Sequence, residues 1–248
     1  MTEIAEIQQA VASYCRRNSL KSWRPLAALI DMDGVLYDSM PRHAQAWHKM
    51  MSEIGIQTDP DEFYLYEGMT GAATIDLLFE RHLHRSATAE EVKQLYEKKS
   101  DYFRNFGARM PMPGAALMLR KLEDAGLKRV LVTGSAQGSL LTALEEDYPG
   151  AFLPGMRVTA LDVTKGKPNP EPYLRGLEKA GVSPAEAVVI ENAPLGVQAG
   201  HASGCFTVGI TTGPIPAEKL REAGADIIFP SMQAFADNIE TLLQGYDC

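Results

Sequence analysis

Two hydrophobic periodicities alternate along the chain. Ala27 to Ile30 form a short, wholly apolar run bounded by Pro25 and Gly34, the pattern of a buried strand. Beyond Gly34 the period becomes helical. His43, Trp47, Met50 and Ile54 share one face over 41–54, and Ile75, Leu78, Phe79 and His82 share one over 71–83. Thr88 and Glu91 spell a capping box, and the helix it opens carries Val92, Leu95, Lys99, Tyr102 and Phe106 at spacings of three and four. No strand is predicted between residues 40 and 110. From Pro113 a helix ends at Gly126. Then come strand "RVLVTG", helix 137–146, strand "MRVTA", helix 171–180, strand "AVVIEN", helix 195–203, strand "FTVGI", helix 217–223, strand "DIIF" and helix 231–244. Strands alternating with helices predict right-handed βαβ units and an α/β fold with a parallel sheet. The expected organisation is an α/β core of 24–39 and 111–248, an all-helical cap of 40–110 inserted after the first strand, and an N-terminal helical extension of 1–23. In that extension Ile4, Ile7, Val11 and Tyr14 mark the apolar face.

Composition narrows the partners. The 248 residues are 45% hydrophobic and 23% charged, ordinary for a globular protein. A formal net charge of -8 offers no basic excess for nucleic acid. No run approaches the roughly 20 apolar residues of a membrane span, and the acidic start "MTEIAEIQQ" does not read as a signal peptide. Cys15, Cys205 and Cys248 have neither metal nor disulfide spacing, so reduced thiols, a cytoplasmic setting and a monomer are expected.

The candidate chemistry sits where the predicted strands end. In an open parallel sheet, ligands bind beyond the carboxyl ends of the strands. The first strand ends in Asp31 and Asp33, which in extended chain point the same way. Two carboxylates at one spot repel, and a divalent cation reconciles them, as does a shared proton. Gly34 then allows a sharp turn. The second strand ends in Thr133, Gly134 and Ser135, the fourth in Glu191 and Asn192, and "GKPNPEP" places Lys167 in a proline-rigid loop. This set suits phosphoryl transfer through an enzyme aspartate. Asp31 attacks phosphorus, and Mg²⁺ takes oxygen ligands from Asp31, the Asp33 carbonyl and Asn192. The Thr133 hydroxyl and the backbone N–H groups beside it bind the transferring oxygens. Lys167 neutralises charge, and Asp33 protonates the leaving group before activating water.

The motifs "DMDGVLYDS", "LVTGS", "GKPNPEPY" and "VVIENAPLGVQAG" resemble, in order, the four motifs of the haloacid dehalogenase (HAD) superfamily. "DSMPRHAQAW" and the position of the helical insert resemble its β-phosphoglucomutase-like branch. The resemblance implies a Rossmann-like HAD core, Asp31 as nucleophile, Asp33 as general acid/base, Thr133 and Lys167 as phosphate ligands, and Mg²⁺ as cofactor. Two departures bear on substrate. The fourth motif reads Glu191-Asn192 where many relatives have two acids. The cap reads "YEGMTGAA", with Gly71 near where a mutase is expected to carry a basic residue for a distal phosphate. Glu67 stands at the cap segment facing the aspartates, where it could bind Mg²⁺ in place of the charge missing at Asn192. "EGMTGA", "YEKKS" and "VIENAPLGVQAGH" look similar to HAD-type inorganic pyrophosphatases. A Mg²⁺-dependent pyrophosphatase is therefore the leading expectation, with a sugar-phosphate mutase or a small-molecule phosphatase as the alternatives.

Several residues keep two readings. Glu191 is a metal ligand or a carboxylate behind the ligands. His43 is a core histidine or a substrate contact. Lys99 interrupts an apolar stripe, so it snorkels to water or its ammonium meets an anion in the site. Tyr96, three residues earlier, is a substrate donor or packing. A non-enzymatic phospho-acceptor module shares Asp, Thr and Lys on a parallel sheet but is uncapped and lacks a counterpart of Asp33.

Overall fold

The computed structural model describes residues 3–107, 110–135 and 138–248. The start of the expected helix at 137 and the cap residues 108–109 lie outside them.

Strand β2 (Ala27–Ile30) is buried on both faces, as are β5 (Ala187–Glu191) and β6 (Phe206–Ile210). Continuous apolar runs of this kind belong to parallel sheets covered by helices on each side. β3 (Lys128–Val132), β4 (Arg157–Val158) and β7 (Ile227–Phe229) complete a six-stranded sheet of order β4-β3-β2-β5-β6-β7, with every pairing parallel. The sequence run "MRVTA" predicts a longer β4; only two residues pair, because an edge strand has one neighbour to hold it. Ile30 pairs with Leu131 on one side and Ile190 on the other. That register sets Asp31 level with Val132 and Glu191, between two strands reached by opposite crossovers. Such a switch point is where open α/β sheets bind ligands.

Helices α5 (Ala115–Asp124), α6 (Gly138–Asp147), α7 (Glu171–Ala180), α8 (Pro194–Ala202), α9 (Ala217–Glu222) and α10 (Met232–Leu243) cover the sheet. The cap holds α2 (Met40–Glu53), a 3-10 turn at Pro60–Leu65, α3 (Gly71–Leu83) and α4 (Ala89–Asn105). It has its own core of Trp47, Met50, Ile56, Phe63, Ile75, Leu78, Phe79 and Leu95. The Thr88–Glu91 capping box forms as the sequence predicts. The chain enters and leaves the cap side by side: Asp38 N–H donates to Met110 O at 2.9 Å and Met112 N–H to Leu36 O at 2.9 Å.

The termini differ from the sequence expectation. Helix α1 (Glu3–Asn18) buries Ile7, Val11 and Tyr14, but Ile4 is exposed. A short antiparallel ladder joins β1 (Ser22–Trp23) to β8 (Tyr246–Asp247), and Cys15 and Cys248 form a disulfide with Cα atoms 5.8 Å apart. The expectation of three reduced thiols is thus corrected. A pairing across 233 residues leaves no local spacing to read, and only the terminal ladder brings the two thiols together. Cys205 is free and buried. Among the described residues no helix is long and apolar enough to cross a membrane.

Candidate active site

Asp31, Asp33, His43, Glu67, Tyr96, Lys99, Gly134 and Ser135 line one cavity between cap and core, of about 60 Å³. Thr133, Gly134 and Lys167 line a small void behind it. Asn192 and Glu191 close the floor through hydrogen bonds to Glu67 and Lys167 respectively. All the candidate residues named from the sequence therefore converge.

Asp31 ion-pairs with the Lys167 ammonium, which also donates to Glu191 Oε1 at 2.6 Å and to Val132 O at 3.1 Å. Burial pushes the Asp31 carboxyl well up; Lys167 pulls it down, and Glu191 and Asp33 push it further up. Burial also opposes the Lys167 charge, but Asp31 and Glu191 outweigh it and hold the ammonium firmly protonated. The Thr133 side-chain oxygen accepts from Ser135 N–H at 3.1 Å, shaping the turn that follows β3.

Asp33 lies at the end of a buried polar chain. Its Oδ1 accepts from the Ser39 hydroxyl and faces His43 Nε2 at 3.2 Å, while His43 Nδ1 lies 2.6 Å from Lys99 Nζ. A lysine ammonium only donates, so Nδ1 accepts and Nε2–H donates to Asp33. Burial would raise Asp33, but the His43 and Ser39 contacts and the Lys99 charge prevail and hold it at about 2. Burial, reinforced by Lys99, lowers His43. Lys99 does not snorkel to water; its ammonium bonds His43 within the cavity lining. It is 3% exposed, surrounded by the Trp47, Tyr96 and Phe103 rings, and burial brings it down to about 7. His43 stacks on Phe103, so it is both a core histidine and a polar contact of Asp33. The Tyr96 ring fills the space beside Gly71, where a Cβ would come within 2.2 Å of it.

The cap sits on the core through Glu67, whose Oε1 accepts from Asn192 Nδ2 at 2.9 Å. Burial raises the Glu67 carboxyl well above the usual range, and Asp31 adds to the rise. The cap backbone presses on Gly134, where a Cβ would lie 2.8 Å from Gly68 O and 3.0 Å from Met69 O.

The donor set is rich in oxygen and suits a divalent cation. Four carboxylates, Asp31, Asp33, Glu67 and Glu191, face two lysines, Lys99 and Lys167. Asn192 Oδ1 is buried and has no hydrogen-bond partner, which leaves an oxygen ligand available. Asp31, the Asp33 carbonyl and that oxygen form a hard-donor set suited to Mg²⁺. Among the described residues, however, no three His, Cys, Asp or Glu side chains form a metal cluster. Glu191 is held by protein donors. Its Oε1 accepts from Lys167 and the Tyr173 hydroxyl, and its Oε2 accepts from Asn192 N–H and Ala193 N–H, so protein donors already engage both oxygens.

Sequence reasoning missed Ser39 and Tyr173. Both stand inside quoted motifs, "YDS" and "PEPY", but a hydroxyl ahead of a helix and an aromatic on a helix read as a cap and as packing.

Paired aspartates at a strand end, a lysine on the first of them and a helical lid define a capped α/β enzyme. A model of haloacid dehalogenase-like hydrolases matches residues 26–204, and the chain belongs to that family, in its β-phosphoglucomutase-like branch. It is 31% identical to hexitol phosphatase A of Escherichia coli over 83% of this chain and 90% of that one. It is 27% identical to β-phosphoglucomutase of Bacillus subtilis over 75% and 84%. A solved structure from Bacteroides vulgatus, provisionally named a β-phosphoglucomutase, superposes with a TM-score of 0.93 at 45% identity over 97% and 98%. These names lend no support to pyrophosphate as substrate.

Proposed function

We propose that this enzyme hydrolyses a phosphomonoester of a small sugar or sugar alcohol through a covalent aspartyl phosphate. The observation that carries the reading is the buried Asp31 carboxylate, paired with Lys167 and flanked by Asp33 beneath the cap. An Asp31 oxygen attacks phosphorus, and the leaving oxygen departs with a proton from Asp33. Water then attacks the aspartyl phosphate, returns a proton to Asp33 and releases Asp31 and inorganic phosphate. Asp33 rests as a carboxylate, and an arriving phosphate raises it by like charge toward the protonated form that the first step needs. Mg²⁺ held by Asp31, the Asp33 carbonyl and Asn192 Oδ1 would neutralise charge between nucleophile and phosphate. Lys167 holds Asp31 in place and meets the phosphate oxygens. Thr133 fixes the turn whose N–H groups cradle those oxygens.

The sugar-phosphate class draws on the hexitol phosphatase and mutase relatives. Hydrolysis is favoured over mutase chemistry because Lys99 is, among the described residues, the one Lys or Arg lining the main cavity, and it already bonds His43. A bisphosphate would need a further cation for its distal group. The cavity is far below the roughly 300–1,000 Å³ of a usual ligand pocket, so the cap must open to admit a sugar.

Pyrophosphate is the second reading, favoured by Glu67. A cap carboxylate held beside Asn192 would add a ligand for the metal that a highly charged pyrophosphate carries, and a small closed cavity suits a substrate without a carbon skeleton.

Steady-state kcat/KM with Mg²⁺ on a hexitol phosphate, β-glucose 1-phosphate and pyrophosphate tests both readings. Preference for the hexitol phosphate supports the first and preference for pyrophosphate replaces it. Asp31→Asn should lower every rate by about 10³-fold or more, the scale of losing a nucleophile. A wild-type rate in that variant would overturn the covalent route.

A further inference from the structure

Lys167 is deeply buried, carries a charge and is aimed at Asp31. A four-carbon stem does not fix an ammonium by itself, so something must hold Nζ there. Three features beneath it converge. Tyr173, on the first turns of α7 and fully buried, donates its hydroxyl to Glu191 Oε1 at 2.6 Å. That same oxygen accepts from Lys167 Nζ at 2.6 Å. The Tyr173 ring also lies under the ammonium, 5.1 Å from Nζ to the ring centre, within cation–π range.

Glu191 is held just as firmly from its other side. Oε2 takes the N–H groups of Asn192 and Ala193 at the start of α8. Helix α8 can approach because residue 196 is glycine; a Cβ there would lie 1.9 Å from Oε1. A buried carboxylate accepting four donors does not turn.

We propose that Tyr173 is a positioning residue for the reaction: its hydroxyl locks Glu191, and the locked Glu191 aims Lys167 at Asp31 and the phosphate. Tyr173 touches no reacting atom and acts through Glu191. Its hydroxyl supplies one of the two donors that keep Oε1 from rotating toward a metal. The proposal rests on the aspartyl-phosphate reading for its effect on rate, but the aim of Lys167 can also be read by binding.

A double-mutant cycle in the intact protein tests it, using Tyr173→Phe, Glu191→Gln and the pair. The variants are assayed on p-nitrophenyl phosphate with Mg²⁺, and orthovanadate binding is measured by calorimetry. Tyr173→Phe keeps the ring and loses only the hydroxyl. It should lower kcat and weaken vanadate binding by about 5- to 20-fold, the size of a lost hydrogen bond to a charged group. KM for Mg²⁺ should stay unchanged. In the Glu191→Gln background the same change should cost less than about twofold, because the residue it acts through is already impaired. Equal losses in both backgrounds would make Tyr173 a packing residue and overturn the proposal, as would no loss in the single variant. If Tyr173→Phe failed to fold, as judged by thermal unfolding, Tyr173→Met, which is no larger and likewise lacks a donor, would replace it in the cycle under the same criteria. A wild-type protein without phosphatase activity that still binds vanadate, with the same coupling in binding, would sink the functional reading and keep the positioning role.

Discussion

Lys99 Nζ lies 2.6 Å from His43 Nδ1, and both are buried beneath the rings of the cap. The contact fixes which imidazole nitrogen carries the proton and so which one donates to Asp33. It also makes the site sensitive to pH. Burial brings Lys99 down to about 7 from its ordinary 10.5. Between those values the unfolded chain binds one proton more than the folded chain. Stability therefore rises with pH across this window, by up to about 1.4 kcal/mol per unit, and the full cost is felt below it. In Lys99→Met that rise should disappear. Urea unfolding of both proteins near pH 6, 8 and 10 checks it. Parallel curves at all three values would show that Lys99 is not a buried titrating group.

Glu67 separates the two substrate readings. If its carboxylate serves the closed site with metal, Glu67→Ala should depress pyrophosphate hydrolysis and raise the Mg²⁺ requirement by roughly 10- to 100-fold, typical of losing a positioned carboxylate near a metal. Hydrolysis of a sugar phosphate should hold or rise as Asn192 loses its partner across the cleft. Equal falls on both substrates would leave Glu67 as a latch for the cap alone.

Gly134 tests closure. A side chain there meets cap backbone, at 2.8 Å from Gly68 O, and a carbonyl in a packed loop does not give way as a flexible side chain does. Gly134→Val should hold the cap off the core, increase the radius of gyration in small-angle scattering and lower kcat/KM by about 10-fold or more. Unchanged scattering with unchanged kinetics would mean that the cap closes by another path.

The Cys15–Cys248 disulfide should stabilise the chain without touching catalysis. It lies with the β1–β8 ladder, next to the amino end of β2, whereas Asp31 follows the carboxyl end. Closing so long a loop is worth about 5.5 kcal/mol in the chain-entropy account. Dithiothreitol, or Cys15→Ser, should lower Tm by several degrees and leave kcat unchanged. No change in Tm on reduction would show that the bond contributes nothing to stability.

Much of this protein is legible in one dimension because local physics writes it there. Buried parallel strands need unbroken apolar runs, which is why "AALI", "AVVIE" and "FTVGI" could be read, and helices need the 3.6 period that marks α2, α3 and α4. The four motifs legible in the sequence all fall at one end of the sheet, since parallel strands present their carboxyl ends together. Asp31, Asp33, Thr133, Lys167 and Asn192 were legible for that reason. Tertiary structure alone decided the partners. Glu191 could be read as a ligand or a support, and only the fold shows that Tyr173 and two N–H groups at the start of α8 engage its oxygens. Lys99 could be read as snorkelling or as facing an anion, and packing of α4 on α2 set its ammonium on His43 in the cavity lining. The terminal disulfide joins residues with no shared periodicity. Contacts between distant segments depend on how elements dock, and docking is set by packed volume and charge in three dimensions, which spacing along a chain does not record.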